Sequence, residues 1–340
     1  MKNYKISIVV ILLLLTAFLS SCEHHVQMKT KVHADGGLDK TIILESDDST
    51  LTLRNYFNVS SNGGWQSSTK KINEKSKKFR YTFQKSFSSA SKANSELAIP
   101  SDSAFRVTSK FESHFRWFYT HLYYSDTYQA INKFDLPVND YLIKEDFQFI
   151  EKLPAEGRSI SKADSLFLTA LNERIFDHYA TRGYFEDYFK LLLDFTSDAS
   201  QKQLLKTHKE TLFQLLSKMD NVDDNVLHKL MDSLGVSVNV GSAYKKSKES
   251  VENKVKFMTW AMGGKYNHII EMPGEVVSHN ADSVGGDKFY WTPSRLKFAF
   301  HDYTFFVETR KPNIWAWVIS VVVLILASLG FIKRKQTITN

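Results

Sequence analysis

Apolar segments at its two ends constrain this chain more than any other feature. The first runs from Ile6 to Phe18 behind Lys2 and Lys5, which is the arrangement of a bacterial export signal. The second runs from Ile314 to Ile332 and contains no charged residue. About 20 apolar residues are long enough to cross the hydrocarbon of a bilayer as a helix. The sequence therefore predicts an exported domain held between two membrane-directed ends.

Cys22 follows the first apolar segment in the run Leu19-Ser20-Ser21-Cys22, which fits a lipobox. Small residues let such a segment enter the signal peptidase, and the thiol of the cysteine accepts a diacylglyceryl group before cleavage makes that cysteine the N-terminus. Cys22 is the only cysteine in the sequence, so no intramolecular disulfide can form. We predict a signal peptide over residues 1–21 and lipidation at Cys22.

The second apolar segment is expected to be a transmembrane helix over residues 313–332. Trp315 and Trp317 stand at its start, where aromatic residues meet the membrane–water boundary, and Lys333-Arg334-Lys335 follows its end. The positive-inside rule then places residues 333–340 in the cytoplasm and residues 22–312 outside it. We expect the domain at the outer face of the cytoplasmic (inner) membrane, in contact with membrane lipid through Cys22 and the C-terminal helix.

The positive charge of the chain does not indicate a nucleic-acid partner. The net charge is +7, but five of the 44 basic residues flank the two apolar segments, and removing them leaves 39 basic against 37 acidic residues. Nucleic-acid binding needs a basic surface on the folded domain. We therefore expect no nucleic-acid partner.

The N-terminal part of the exported domain has the pattern of β-strands. Alternating apolar and polar residues over 26–44, interrupted by Asp35-Gly36-Gly37, predict a hairpin. Ser86–Ser103 is rich in serine and predicts a loop. Phe115, Trp117 and Tyr119 then fall on one face of a predicted strand. We expect this face to lie in the core under a helical layer, and stacking on a sugar or a base is the alternative.

Helical periodicity replaces the strand pattern over about residues 140–262, first in a short segment over Tyr141–Leu153. A longer helix is predicted to begin at Ser161, with Ser161 and Asp164 as an N-cap arrangement, and to be interrupted by Gly183. Strand patterns return over Tyr266–Val307. The two strand-rich ends predict an α+β fold in which both contribute to one antiparallel sheet, with the helical block as an insertion and one transmembrane helix after it. This arrangement also brings Cys22 and Ile314 to one membrane surface.

Short motifs stand near both ends of the domain: Val32-x-x-Asp35-Gly36 and Ile270-Glu271-Met272-Pro273-Gly274-Glu275-Val276-Val277, with Asn280, Trp291 and the apolar segment after Asn313. They resemble those of LppM-type domains and related DUF3153 lipoproteins. The middle of the chain is more similar to uncharacterised Bacteroidetes envelope lipoproteins. The resemblance covers about a third of the chain. It implies a mixed α/β envelope domain and supplies no catalytic residues.

No motif in the sequence indicates catalysis. Gly-x-Ser-x-Gly, His-Glu-x-x-His and P-loop patterns are absent. Asp177-His178 and His301-Asp302 are adjacent acid–base pairs, but neighbouring side chains do not face each other on a helix or a strand. His24-His25 and Asp220-x-x-Asp223-Asp224 are interpreted as a linker and a helix–helix turn, not as metal sites.

The sequence thus predicts no catalytic residue, no cofactor and no metal. Two classes of function remain. The first is a non-enzymatic binding or structural module at the membrane, whose partner is an envelope protein or a lipid. The alternative is an envelope hydrolase acting on glycan or lipid, which requires two carboxylates, or a serine and a histidine, in one cleft.

Overall fold

The hairpin at the start of the domain forms because apolar side chains alternate along both of its strands. A computed structural model describes residues 24–47, 56–72, 77–217, 232–235 and 241–338. Strand β1 (His25–Val32) pairs antiparallel with β2 (Leu38–Ser46), and every second residue of each strand is buried. Gly36 adopts φ +91° in the connecting turn, a conformation that favours glycine. The predicted hairpin is confirmed.

Nine further strands complete two sheets within the described residues. They are β3 (Gln66–Lys71), β4 (Phe79–Phe87), β5 (Val107–Arg116), β6 (Tyr119–Tyr128), β7 (Lys265–Glu271), β8 (Glu275–His279), β9 (Ser283–Gly285), β10 (Lys288–Trp291) and β11 (Tyr303–Pro312). The larger sheet has the order β3-β4-β2-β1-β7-β10-β9, and the smaller has the order β5-β6-β11-β8.

The hairpin and the C-terminal strands meet in the larger sheet. β1 pairs with β7 in parallel, while the other strand pairs of both sheets are antiparallel. The expectation of one antiparallel sheet is therefore wrong in two respects, since there are two sheets and one pair is parallel. A parallel pair needs a long crossover, and residues 33–264 provide it.

The two sheets pack face to face, and the main core lies between them. Met28 and Ile42 of the larger sheet belong to the same buried cluster as Tyr124 and Val307 of the smaller one. Phe257 closes one side of this cluster from the helical region. Burying large aromatic and aliphatic side chains in this way is the main favourable contribution to folding.

The described helices lie mostly between β6 and β7. They are α1 (Ala90–Leu97), α2 (Lys144–Lys152), α3 (Lys162–Glu173), a π-helical segment (Arg174–Ala180), α4 (Thr181–Phe195), α5 (Ala199–Thr207), α6 (Lys209–Leu216), α7 (Gly241–Gly263) and α8 (Ile314–Ile338). The hydroxyl of Ser161 accepts from the amide of Asp164, which confirms the predicted N-cap of α3. Two small cores of their own hold α2 to α7 together, whereas α1 packs into the main core.

Two local expectations are wrong. Ser86–Ser103 contains helix α1, capped by Ser89, and three of the helix residues, Ala90, Ala93 and Leu97, are buried. Gly183 does not interrupt a helix but lies inside α4, where a Cβ atom would come within 2.7 Å of the Phe134 ring. This glycine is required by the close approach of Phe134.

The C-terminal helix requires the main correction to the expected fold. The mixed α+β class holds, and α8 follows β11 directly. Among the helices described here, however, none combines the length and the apolarity that a membrane crossing demands. The expected transmembrane helix over residues 313–332 is therefore not supported.

Candidate functional site

Lys40 and Asp126 form a charged cluster in the centre of the main core. Lys40 faces inward from β2 between Leu38 and Ile42, and Asp126 faces it from β6 in the opposite sheet. The Lys40 Nζ atom lies 2.9 Å from both carboxylate oxygens of Asp126, and both side chains are fully buried.

Hydroxyl groups supply most of the remaining hydrogen bonds of this carboxylate. Ser109 and Tyr124 donate to Asp126 Oδ1 at 2.6 and 2.7 Å, and Thr30 donates to Oδ2 at 3.1 Å. Lys40 also donates to the hydroxyls of Thr30 and Tyr124. A buried charge is costly unless it is paired and hydrogen-bonded, and this arrangement satisfies both conditions.

His268 lies at the edge of the cluster, on β7. Its Nε2 atom is 3.4 Å from Asp126 Oδ2, and its ring stacks on Phe305 with the centroids 4.3 Å apart. The hydroxyl of Tyr128 lies 3.5 Å from its Nδ1 atom. Burial lowers the pKa of His268, because desolvation of the imidazolium outweighs its attraction to Asp126.

Asp126 is ionised in spite of its burial. Desolvation opposes the charge, but the ammonium group of Lys40, assisted by His268 and the hydroxyl of Ser109, holds the pKa of Asp126 well below its usual range. Lys40, Asp126, His268 and Tyr124 are each no more than 1% exposed. A substrate cannot reach groups that are sealed between two sheets, so this cluster ties the sheets together and does not act on a ligand.

The acid–base pairs considered from the sequence do not form catalytic pairs. Asp177 and His178 lie in the π-helical segment, where burial and the neighbouring Glu173 raise the pKa of Asp177. The ring of His301 contacts Phe147, whereas Asp302 accepts a hydrogen bond from the amide of Ala130.

The candidate metal ligands are not brought together either. His24 is buried and stacks on Trp260, so its interpretation as part of a linker is wrong. In the described part of the chain no three histidine, cysteine, aspartate or glutamate side chains are placed to hold a metal ion. Cys22, Asp220, Asp223 and Asp224 lie outside the described residues.

Aromatic side chains form the most distinctive surface of the domain, at the end of the smaller sheet where α8 begins. We define the aromatic collar as Phe115, Trp117, Phe118, Tyr119, Trp315 and Trp317. Phe115 is 56% exposed, Trp117 is 48% exposed and Trp315 is 51% exposed. The expectation that Phe115 and Trp117 lie in the core is therefore wrong. The β5–β6 turn falls at Trp117 and Phe118, so these two residues lie at the tip of the hairpin and not on a strand face.

The rings of the collar contact one another across the turn and the helix. Trp315 stacks on Phe115 at 6.0 Å and meets Trp117 edge-on at 5.5 Å, while Trp317 contacts Phe118 at 4.4 Å. Trp117 Nε1 donates to the hydroxyl of Ser320 at 2.9 Å. These contacts hold the first turns of α8 against the tip of the β5–β6 hairpin.

Asn313 connects the backbone of the turn to the helix. Its side-chain Nδ2 donates to the carbonyls of Arg116 and Trp117 at 2.8 and 3.2 Å, and its Oδ1 accepts from Thr120 at 2.9 Å. Its own amide donates to the carbonyl of Phe118 at 2.8 Å. Asn313 thus donates three hydrogen bonds and accepts one, and these bonds fix the β5–β6 turn relative to the start of α8.

Basic side chains flank the collar. Arg116 and Lys311 are exposed beside it. The guanidinium of Arg310 lies 4.7 Å from the ring centroid of Tyr119 and pairs with Glu275. The collar is therefore an amphipathic surface in which indole and phenol rings are mixed with positive charge.

The charged cluster has a signal in the sequence, although it matches no catalytic motif. Alternation along β2 places Lys40 on the same face as Leu38, Ile42 and Leu44, and a lysine on an apolar strand face needs a buried partner. The identity of that partner depends on how the two sheets pack, which the pattern of a single strand does not contain.

Comparisons with known proteins do not assign the chain to a family. No family model matches it, and neither a curated protein nor a solved structure is similar enough to count as a match. The resemblance to LppM-type and DUF3153 lipoproteins therefore stays a prediction.

Proposed function

We propose that this protein is a non-enzymatic module that docks on a lipid surface through its aromatic collar. In this proposal it is an envelope lipoprotein that carries an acyl anchor at Cys22 and works at the outer face of the cytoplasmic membrane. The observation that carries the proposal is the collar itself, a set of exposed aromatic rings held in place by Asn313.

The composition of the collar suits the boundary between lipid headgroups and acyl chains. Tryptophan and tyrosine are enriched at this boundary because each has an apolar body and a polar atom that stays hydrated. Beyond the collar, α8 exposes apolar side chains such as Ile314, Val318 and Leu329. Exposed apolar surface of this kind marks an interaction site.

The charges near the collar favour an anionic lipid surface. Each lysine or arginine close to such a surface contributes about 1 kcal/mol of attraction. Arg116 and Lys311 are positioned beside the collar to make this contribution. Rings and charges therefore act together, as in other proteins that bind at the membrane interface.

The same geometry favours binding over the alternative of an envelope hydrolase. General acid–base catalysis needs titratable groups within reach of a substrate. The cluster of Lys40, Asp126 and His268 is buried between the sheets, and Asp177-His178 and His301-Asp302 do not pair. The observations thus support a binding module that acts through its exposed aromatic collar.

Quenching of tryptophan fluorescence by brominated lipid tests the proposal. The full mature chain is reconstituted into vesicles whose lipids carry bromine on the first part of the acyl chains. Trp117, Trp315 and Trp317 are exposed in the collar, whereas Trp65 and Trp291 are buried in the core. We expect strong quenching of the wild-type protein and loss of most of it when the three collar tryptophans are replaced by phenylalanine.

Trp65→Phe is the matched control, because it removes an indole that cannot touch lipid. It should leave the lipid-dependent quenching unchanged. Equal quenching of the wild-type protein and the triple variant would show that the collar does not contact the lipid, and the proposed function would then be wrong.

A further inference from the structure

The two ends of the described domain lie at opposite ends of the sandwich. β11 runs antiparallel to β6, so that Tyr303 is opposite Tyr128 and Pro312 is opposite Tyr119. The chain therefore moves along β11 toward the collar and enters α8 there. At about 3.3 Å per residue, the distance from the Tyr128 end to the collar is about 30 Å.

Contacts between the sheets show in which direction β1 runs relative to β6. Tyr128 donates to the sulfur of Met28, and Thr30 donates to Asp126. Further along, Gly36 approaches the ring of Phe111, which is opposite Tyr124 in β6. Residues of β1 with lower numbers therefore contact the part of β6 that is further from the collar.

His24 lies at the end of the sandwich away from the collar. From Met28 back to His24 the chain extends about another 10 Å past the Tyr128 end of β6. Together with the length of β6, this places His24 and Pro312 about 40 Å apart along the strand direction. The His24 carbonyl accepts from the amide of Lys265 at 3.0 Å, and its ring stacks on Trp260 at 4.2 Å. The start of the domain is thus fixed to the core.

This separation decides where the acyl chains can be. In the sequence only Glu23 separates Cys22 from His24, and an extended chain covers at most about 3.6 Å per residue. One residue between them is too little chain to span the distance from His24 to the collar. Cys22 lies outside the described residues, so the expectation that it shares one membrane surface with Ile314 stays a prediction. The separation of His24 from Pro312 points instead to two surfaces.

We infer that the domain bridges two facing lipid surfaces, with the acyl chains of Cys22 in one and the aromatic collar on the other. This inference rests on the proposed function, because it needs both lipid contacts. The two surfaces would be held about 40 Å or more apart by the length of the sandwich. Each protein molecule then acts as a rigid spacer and not as a flexible tether.

The flanks of the sandwich argue against a domain that lies flat with both ends on one bilayer. The outer face of the larger sheet carries ion pairs of Lys29 and Lys31 with Glu271, and of Arg80 with Glu45. The outer face of the smaller sheet carries Lys110 paired with Glu112. Mixed and paired charges offer a lipid surface neither apolar area nor net attraction.

A two-vesicle experiment tests the inference. The mature, lipidated full chain is anchored in donor vesicles and mixed with protein-free acceptor vesicles that contain anionic lipid. Brominated lipid is placed either only in the acceptor vesicles or only in the donor vesicles. Tryptophan quenching then reports which bilayer the collar touches, and energy transfer between lipid dyes reports vesicle clustering.

We expect quenching by brominated acceptor vesicles together with clustering. Replacing Trp117, Trp315 and Trp317 by phenylalanine removes the indoles whose quenching is measured, so this variant cannot report on contact with lipid by quenching. Vesicle clustering is therefore measured for a second variant, Trp315→Ser with Trp317→Ser. Its clustering should fall to the level seen without protein. Phe195→Ala removes an exposed aromatic ring of α4 and should cluster vesicles as the wild-type protein does.

The possible outcomes separate the two proposals. Quenching only by brominated donor vesicles, without clustering, overturns the bridge and leaves the proposed function intact. Quenching by neither vesicle population overturns both. The circular dichroism spectrum of each variant is compared with that of the wild-type protein. An unchanged spectrum shows that the losses do not come from unfolding.

Discussion

Lys40 and Asp126 belong to different sheets, yet the ammonium group of one lies 2.9 Å from both carboxylate oxygens of the other. The ion pair sits among aromatic and aliphatic side chains and takes hydrogen bonds from three hydroxyl groups. Its members are far apart in sequence, so the pair can form only when the sheets meet in the correct alignment. We interpret it as the element that specifies how the sandwich packs.

Breaking this pair from one side should destabilise the domain strongly. Lys40→Met keeps much of the volume of the side chain but leaves the Asp126 carboxylate buried without its cation. Loss of one partner of a buried ion pair costs about 3–5 kcal/mol. We expect a loss of this size in the free energy of unfolding, measured by urea denaturation of the full chain.

The double variant Lys40→Met, Asp126→Leu is the control for this prediction. It removes both charges, and replacing a buried ion pair by apolar residues is often close to neutral. It should recover most of the stability that Lys40→Met loses. A double variant that is less stable than Lys40→Met would contradict an uncompensated charge as the cause.

The stability of the domain should fall as the pH is lowered from neutral. The pKa of His268 is lowered in the folded protein by burial, so the unfolded chain binds a proton first as the pH falls through the ordinary value of 6.5. The contribution of His268 is therefore complete above that pH and is lost below it. Asp126, whose folded pKa is also lowered, adds a second loss below its unfolded value of about 3.9.

His268→Phe separates these two steps. Phenylalanine keeps a ring against Phe305 but does not titrate, so the loss of stability that sets in as the pH falls through 6.5 should flatten, while the loss caused by Asp126 at lower pH remains. The measurement is the urea midpoint as a function of pH. The groups that face His268 are Asp126, Lys40 and Tyr128, and all of them are retained in this variant.

Alternation of apolar residues was sufficient to predict the local β-structure at the N-terminus. It identified the hairpin of β1 and β2 with its turn at Gly36, and Ser161 was correctly identified as a helix cap. These features depend on a few neighbouring residues. The parallel pairing of β1 with β7 depends on residues 33–264 folding back, and no local pattern contains that information.

The prediction that the collar residues Phe115 and Trp117 are buried failed for a related reason. Alternation across Phe115, Trp117 and Tyr119 suggested one continuous strand face, but the hairpin turn lies within that run. Aromatic residues on a predicted strand are usually buried because burial is favourable. Their exposure follows from the position of the turn beyond the core, which depends on the length of the sandwich.

Gly274 should be intolerant of substitution because of the backbone beside it. It adopts φ +113°, and a Cβ atom there would lie 2.8 Å from the carbonyl oxygen of Arg310 in β11. Gly274→Ala combines backbone strain with a contact that only a shift of β11 can relieve, and strain at such a site costs about 1–3 kcal/mol. We expect a loss of stability in this range or above it by thermal denaturation.

Gly157→Ala is the matched control. Gly157 also has a positive φ of +85°, but an added Cβ atom would meet nothing within 4 Å. It should show the cost of strain alone. Equal losses for the two variants would show that the contact with Arg310 adds nothing.

Cys22 is predicted to carry the lipid, and Cys22→Ser tests this independently of the fold. Without the thiol the diacylglyceryl group cannot be added, so we expect an unprocessed precursor and no incorporation of labelled fatty acid. Detection of normal acyl labelling in the variant would show that Cys22 is not the attachment site. Glu23→Gln leaves the thiol in place and serves as the control.

Asn313 should determine whether the collar is one surface or two independent pieces. Its side chain donates to the carbonyls of Arg116 and Trp117 and accepts from Thr120. Asn313→Asp keeps the acceptor, and with it the bond from Thr120, but loses both donated bonds. Asn313→Ala loses all three, and hydrogen bonds of this kind contribute about 0.5–1.5 kcal/mol each.

Hydrogen exchange measured by mass spectrometry can follow this loss in the peptides that contain the β5–β6 turn and the start of α8. Exchange in both should rise in Asn313→Asp and rise further in Asn313→Ala, because the turn and the helix are then held mainly by ring contacts. Quenching of the collar tryptophans by brominated lipid should decrease in the same order. An increase in exchange at the turn without any change in lipid quenching would show that the rings alone, without the hydrogen bonds of Asn313, are enough to form the lipid-binding surface.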